Sequence, residues 1–228
     1  MKVALGIIIV LVLLGGGWFL TSQNVSAPTE THTEAGAESA ARGIRPVPGS
    51  YTVSPEESSI TWSAGKPLIA GYVHTGTLNV ASGTIEVGDA TASGSFIIDM
   101  ASVKVTSLGG GKEGRESQLE AHLKRDDFFG TEEYPTGTFT ITSVVPTDGE
   151  NQYTVTGNLT LKDVTNEVSF VANIYEEEGQ LHAHADFAID RTKWGITFAS
   201  ASVFDNLANN AIGDEVSLSL KLIANPAQ

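Results

Sequence analysis

Two histidines and an aspartate stand at alternate positions in the C-terminal part of the chain, where their spacing could begin a metal site. His182, His184 and Asp186 would point to one face of a β-strand, and imidazole and carboxylate groups are common zinc ligands. The intervening residues are apolar and must face the core. The pattern therefore places the three polar side chains on the solvent face, and it predicts no metal site.

A small charged cluster follows at Asp190, Arg191 and Lys193. A guanidinium group could bind the phosphate oxygens of a lipid headgroup, or it could form a structural ion pair at the edge of the fold. Both alternatives stay open on the sequence, and the structural one is favoured.

Paired carboxylates occur at Asp126-Asp127 and Glu132-Glu133. Such pairs act as general acid and base when their surroundings differ, but these stand in turn-like, exposed segments. No nucleophile elbow or glycine-rich phosphate loop occurs between a strand and a helix, and the chain has no cysteine. We therefore expect no catalytic residues, no cofactor and no enzymatic activity.

The segments that position these residues alternate apolar and polar side chains with a period of two, which is typical of half-buried antiparallel strands. About eight strands follow from this pattern, including weaker ones around Ile60-Trp62, Leu78-Val80 and Ile85-Val87. The alternation assigns one apolar set to a common inner face: Phe96, Ile98, Phe139, Ile141, Leu159, Leu161, Phe170 and Phe187. If that face encloses a lumen, these eight residues are the candidate ligand-binding residues.

A single stretch, 116–126, has a helical pattern. Leu119 and Leu123 are four residues apart, and Lys124-Arg125 suit the C-terminal end of a helix dipole. We expect this helix to lie across the strands as a cover. The fold is thus predicted as all-β with one short helix, and the pattern alone fits both a closed barrel and a two-layer sandwich.

The chain begins with an apolar run from Val3 to Leu20, preceded by Lys2. As a helix this run would reach roughly 27 Å at about 1.5 Å per residue, close to the ~30 Å hydrocarbon core of a bilayer. We expect residues 1–20 to form a transmembrane anchor, with a cleaved signal peptide as the alternative. Residues 21–50, rich in Thr, Ser, Ala, Glu and Pro, would form a flexible linker.

The remaining domain, residues 51–228, would then be extracytoplasmic, in the periplasm or at the cell surface, or secreted if the leader is cleaved. The formal net charge of −14 would repel nucleic-acid phosphates, so we expect no nucleic-acid partner. The sequence leaves the oligomeric state open, a homodimer included.

Three longer stretches carry a family resemblance. They are His122–Phe129 followed by Tyr134-Pro135-Thr136, then Val155–Thr165, and then Ile189–Ile196. Together they resemble the signatures of the YceI-like family, and the similarity extends over nearly all of Tyr51 to Ala224.

The resemblance implies an extended, lipocalin-like antiparallel β-barrel of eight strands, whose lumen binds a polyisoprenoid chain in a periplasmic or secreted bacterial protein. The first hypothesis is therefore a carrier or storage protein for a long apolar lipid in the bacterial envelope. The second is an envelope structural or interaction protein whose barrel is filled by its own side chains. The third, which is disfavoured, is an enzyme acting on an isoprenoid lipid.

Overall fold

The computed structural model describes residues 46–110 and 113–228, and within them the chain forms nine strands and one α-helix. The helix, α1, is Glu116–Leu123. The strands are β1 (Gly49–Val53), β2 (Ser59–Gly65), β3 (Val73–Val87), β4 (Ala92–Leu108), β5 (Thr136–Pro146), β6 (Gln152–Leu161), β7 (Val164–Glu177), β8 (Gln180–Asp190) and β9 (Glu215–Pro226). The predicted all-β class with one short helix is confirmed.

All strand pairs are antiparallel, and the sheet closes on itself because β3 pairs with β4 as well as with β1 and β2. Both β1 and β2 lie between β3 and β9. They are two halves of one interrupted strand, so nine strands occupy eight positions around the ring. The structure is therefore an eight-position closed barrel rather than a sandwich.

The interruption between β1 and β2 is bridged by one side chain. The hydroxyl group of Ser58 donates to the carbonyl oxygen of Ile223 at 3.3 Å and accepts from the amide of Ile223 at 3.0 Å. Buried backbone groups need partners, and this hydroxyl supplies them where β9 would otherwise face a gap. The ring of hydrogen bonds continues past the break.

The segments Leu78-Val80 and Ile85-Val87, which the pattern treats as separate strands, both belong to β3. Between the two segments the strand continues without a turn, and the β3–β4 pairing shifts register between Val80 and Ser82. A Cβ atom at Gly83 would lie 2.7 Å from the Cβ of Phe96, so glycine here permits a close approach of the two strands.

The helix ends at Leu123, earlier than the predicted Asp126. The chain turns because the amide of Phe129 donates to the carbonyl oxygen of Leu123 and that of Gly130 donates to Arg125. This turn directs Phe128 and Phe129 toward the barrel interior. The helix and its turn thus cover one end of the barrel, as expected.

The two ends of the barrel are connected differently. The loop end consists of residues 66–72, 109–110, 113–135, 162–163 and 191–214. The turn end consists of residues 46–48, 88–91, 147–151, 178–179 and 227–228. Three long connections and the short 162–163 turn therefore cover one mouth, and only short turns and the first and last described residues border the other.

The predicted anchor, residues 1–20, and residues 21–45 of the predicted linker lie outside the described residues. Residues 49 and 50, at the end of the predicted linker, already belong to β1. Across residues 46–110 and 113–228, no helix has the length and apolar character needed to cross a bilayer.

Candidate functional site in the barrel lumen

The lumen contains two adjoining cavities. The narrow chamber, about 130 Å³, lies toward the loop end, where Leu123, Phe128 and Ile196 line it. The wide chamber, about 370 Å³, lies toward the turn end and is lined there by residues of the β3–β4 turn and by Pro146 and Tyr153. Small-molecule sites typically occupy about 300–1,000 Å³ and are mostly apolar. The wide chamber alone reaches that range.

Four side chains line both chambers, and we call them the partition: Phe96, Phe139, Phe170 and Leu220. The Phe96 and Phe139 rings lie 5.5 Å apart, and the Phe139 and Phe170 rings 5.7 Å apart. Phe170 also stacks on Phe187 at 4.2 Å with the two rings nearly parallel. Aromatic pairs at these separations attract one another, so the three phenylalanines of the partition and Phe187 form a continuous row of rings from β4 to β8.

The partition depends on a glycine in β6. Gly157 lies between Val155 and Leu159 on the inner face, beside the ring of Phe139. A Cβ atom at this position would lie 2.8 Å from Cε1 of Phe139 and 2.6 Å from the carbonyl oxygen of Thr140, with Cζ of Phe139 closer still. The missing side chain therefore allows the Phe139 ring to lie against the wall.

The structure places all eight sequence-predicted residues on the lumen wall. Ile98, Leu159, Leu161 and Phe187 line the narrow chamber, and Ile141 lines the wide one. The remaining three, Phe96, Phe139 and Phe170, belong to the partition. The period-two alternation was enough to bring these residues together, and the turn that the composition indicates at Asp148-Gly149 lies between β5 and β6.

Other lining residues were not predicted. Trp62 lines the narrow chamber and is 8% exposed, and its indole N–H has no hydrogen-bond acceptor among the described residues. Its alternation with Ile60 in β2 was the available signal. Leu123, Phe128 and Phe129 lie outside the strands, so strand periodicity could not identify them.

Arg191 closes the loop end and is only 4% exposed. Its guanidinium group donates to the carbonyl oxygens of Gly213 at 3.0 Å, Ile196 at 2.6 Å and Ile212 at 3.2 Å, and it pairs with Asp214 at 3.4 Å. Burial lowers the pKa of Arg191, and the nearby carboxylates oppose that shift. The side chain therefore serves the structural role that the sequence favours.

Asp214, the partner of Arg191, is held in its charged form. Burial raises its pKa, but hydrogen bonds from Ser200 and Ser202, together with the charge of Arg191, lower that pKa overall. A charged pair with additional hydrogen bonds is the arrangement that makes a buried ion tolerable. The pair joins the first and last residues of the long 191–214 connection, beside the end of β8 and the start of β9.

The three stretches that carry the family resemblance meet at the loop end. Nζ of Lys162 donates to the carbonyl oxygens of Asp126 and Phe128, each at 2.8 Å. Nε1 of Trp194 donates to the carbonyl oxygen of Leu159 at 2.9 Å. The first stretch is thus tied to the second, and the second to the third, around the covered mouth.

The remaining candidate groups do not assemble a site. His182 and His184 stack on Tyr175, at 5.1 and 6.1 Å between ring centroids. They alternate with lumen-lining alanines, and His184 itself also borders the wide chamber. In the part of the chain that the structure describes, no three potential metal ligands lie together. Asp127 contacts His122 at 3.2 Å, and Glu133 accepts from the hydroxyl of Tyr134, so one carboxylate of each predicted pair has a local partner.

Comparisons with known proteins agree with this geometry. Residues 51–224 match the model of the YceI-like domain. A UPF0312 protein of Photorhabdus laumondii is 39% identical over 75 residues, which cover 33% of this chain and 36% of that protein. A UPF0312 protein of Azotobacter vinelandii is 33% identical over 89 residues, which cover 37% of this chain and 46% of that protein. The chain thus aligns with less than half the length of either relative.

Solved structures share the fold. BcnA of Burkholderia cenocepacia superimposes with a TM-score of 0.59 at 19% identity, covering 75% of this chain and 98% of that one. A polyisoprenoid binding domain from Saccharophagus degradans, implicated in plant cell wall breakdown, superimposes with a TM-score of 0.55 at 16% identity, covering 78% and 98%. At these identities the likeness shows the fold alone. The domain match over most of the chain shows more: this chain belongs to the YceI-like domain family.

Proposed function

We propose that the barrel binds and shields a long apolar lipid of the polyisoprenoid type, as a carrier or storage protein of the bacterial cell envelope. The observation that carries the proposal is the pair of adjoining apolar chambers, about 130 and 370 Å³. A barrel packed to ordinary protein density leaves few voids larger than a water molecule. The second hypothesis, a filled barrel without a ligand, does not account for cavities of this size.

The driving force would be the removal of hydrocarbon from water. Each buried CH₂ group contributes roughly 0.8 kcal/mol in gross terms, and the ordering of the chain and the loss of its overall freedom offset part of that gain. The aromatic partition offers flat, polarisable surfaces against which alkene groups pack. Binding without catalysis fits the narrow chamber, because Arg191, the charged residue among those lining it, already donates to backbone carbonyls.

Two further supports come from outside the lumen. The Saccharophagus degradans relative of this fold is described as a polyisoprenoid binding domain. The apolar run from Val3 to Leu20 would hold the barrel at a membrane, where such lipids reside. Envelope location and the carrier role are part of the proposal.

The test uses the full-length chain, expressed in a bacterial host and isolated without detergent. If the chain stays with the membrane, it is isolated in bilayer discs bounded by a polymer. Organic extracts and native mass spectra would identify a bound lipid. Phe170→Asp places a charge in the partition, whereas Val171→Asp places the same charge on the outer face, since Phe170 is 8% and Val171 49% exposed. We expect loss of a stoichiometric polyprenyl species from the first variant alone.

Ala172→Leu provides a second variant that keeps the wall apolar. Ala172 lines the wide chamber, so a larger side chain there reduces the space for lipid without burying a charge. We expect it to fold and to retain less lipid than the parent chain. A folded parent chain that is empty, and that stays empty when offered isoprenoids, would refute the proposal.

A further inference from the structure

The two mouths of the lumen differ in how they meet solvent. At the loop end, the residues that line the narrow chamber are buried or half-buried, among them Leu123, Phe128 and Ile196. At the turn end, Gly88, Asp89, Ala90, Thr91 and Pro146 line the wide chamber and are exposed. The described lumen therefore communicates with solvent at the turn end.

The turn end has a one-sided charge distribution. Its turns and the strand residues bordering them carry the following acidic residues: Glu86, Asp89, Asp148, Glu176, Glu177 and Glu178. Within residues 46–48, 86–92, 146–152, 176–180 and 226–228 there is no lysine or arginine. Asp89 belongs to the wall of the wide chamber itself.

The cations of the barrel lie mainly at the other end. The loop end carries these basic residues: Lys66, Arg115, Lys124, Arg125, Lys162, Arg191 and Lys193. Of these, Arg191 reaches the narrow chamber, and its donors bind backbone carbonyls and Asp214. His184 also lines the wide chamber, and burial lowers its pKa below 6.5, which favours the neutral imidazole. A phosphate group bound in the described lumen would thus face carboxylates at the open mouth and a neutralised guanidinium at the covered one.

We infer that the ligand enters tail first through the turn end and that the acidic rim there selects lipids with uncharged heads, such as prenyl alcohols or prenylated quinones, against prenyl phosphates. This inference rests on the proposed function. Like charges a few ångströms apart repel measurably even in water, and salt screens that repulsion over a Debye length of about 10 Å at 0.1 M. The selectivity should therefore weaken as salt increases.

The experiment compares geranylgeraniol with geranylgeranyl diphosphate, which share one tail and differ in the head. Equilibrium binding to the full-length chain in bilayer discs would be measured against empty discs as the blank. At low salt we expect the alcohol to bind about tenfold more tightly, and at 0.5 M salt we expect the ratio to shrink severalfold. Both ligands would be kept below the concentrations at which they form micelles.

The double variant Asp89→Asn with Asp148→Asn removes two rim charges and should reduce the low-salt ratio by about threefold. Asp205→Asn is the matched control, because Asp205 is an exposed acid in the long connection of the loop end. It should leave the ratio unchanged. If the diphosphate binds as tightly as the alcohol in the parent chain, the inference fails while the lipid-binding function stands; if neither binds, the proposed function itself fails.

Discussion

The loop end and the turn end of the barrel are held by different kinds of contact. At the loop end, buried Arg191 gathers carbonyl oxygens from the 191–214 connection. At the turn end, Val47 donates to the carboxylate of Glu176 at 2.9 Å and accepts from the hydroxyl of Tyr51 at 2.7 Å. Removing the partners of a buried charge costs about 3–5 kcal/mol of folding free energy, whereas a half-exposed hydrogen bond can be replaced by one to water at little cost.

This difference shows that buried contacts hold one mouth and more exposed contacts hold the other, and under our proposal the second mouth is the one through which ligand enters. The covered mouth gathers the three stretches that resemble the family signatures. The open mouth consists of short turns and the first described residues of the chain. Substitutions at the two ends should therefore separate stability from ligand access.

The largest expected effect comes from Arg191→Leu. Removing one partner of a buried ion pair typically destabilises a protein by about 3–5 kcal/mol, because the remaining groups stay buried without partners. Chemical denaturation followed by circular dichroism would measure this loss in the free energy of unfolding. Lys193→Leu, at an exposed position two residues away, is the control and should change stability little. A loss below about 1 kcal/mol for Arg191→Leu would contradict the structural role.

Gly157→Ala should have the next largest effect, since it acts on the border between the two chambers. The added methyl group would meet the ring of Phe139 and the carbonyl oxygen of Thr140. Overpacking of this kind costs about 1–3 kcal/mol. Thermal denaturation would measure the loss, and Gly49→Ala, where the nearest atom to a new Cβ is 3.8 Å away, is the control. Equal stability of the two variants would show that Phe139 moves aside at no cost.

Tyr51→Phe should have a smaller effect, confined to the turn end. The variant loses the hydrogen bond to the carbonyl oxygen of Val47, which typically contributes about 0.5–1.5 kcal/mol. Hydrogen exchange should accelerate at the Val47 amide and stay unchanged around Arg191. Tyr153→Phe, at the same mouth, is the control, because the Tyr153 hydroxyl makes no hydrogen bond to the described residues. Faster exchange at both ends would mean that the two mouths are coupled.

Because of Tyr51, the stability of the turn end should also depend on pH in the alkaline range. Burial, with the nearby carboxylate of Glu176, raises the pKa of Tyr51 above its ordinary value of 10.0. A raised pKa in the folded state stabilises the protein below pH 10 and loses that contribution as pH rises through the folded value. The stability difference between the parent chain and Tyr51→Phe should shrink above pH 10. A difference that is constant from pH 8 to pH 11 would contradict this origin.

The smallest expected effect is a loss of stability at the loop end as the pH becomes acidic. Burial lowers the pKa of His74 below 6.5, as does the charge of Lys66, and its Nδ1 accepts a hydrogen bond from the amide of Gly109. A lowered histidine pKa stabilises the fold above pH 6.5 and loses that contribution as pH falls through the folded value. His74→Gln should flatten the stability profile between pH 7 and pH 5. An unchanged slope would assign the acid sensitivity to other groups.

Much of the lumen could be predicted from the sequence, because alternation along a strand is a local property. Phe139 and Ile141, or Leu159 and Leu161, share a face whatever the rest of the fold does. The family resemblance then chose a barrel over a sandwich, which alternation could not do. Strand count was less accessible, since Ser82-Gly83 has the composition of a turn but lies within β3.

The division of the lumen could not be predicted, because it depends on contacts across strands. Phe139 lines up with Phe96 and Phe170 only through the registers of β4, β5, β6 and β7. The role of Gly157 follows from the Phe139 ring, which occupies the space where a side chain at position 157 would lie. The sequence shows that a glycine is present and gives no indication of which side chain occupies the space beside it.

The interrupted strand has a consequence for how the barrel folds. The ring is completed only when β1 and β2 pair with β9, and the hydrogen bonds of Ser58 with Ile223 span 165 residues of sequence. Contacts between such distant residues are entropically expensive and slow to form. A chain emerging from the ribosome therefore holds an open, unpaired sheet edge until β9 appears, and that interval is when it most needs protection from aggregation.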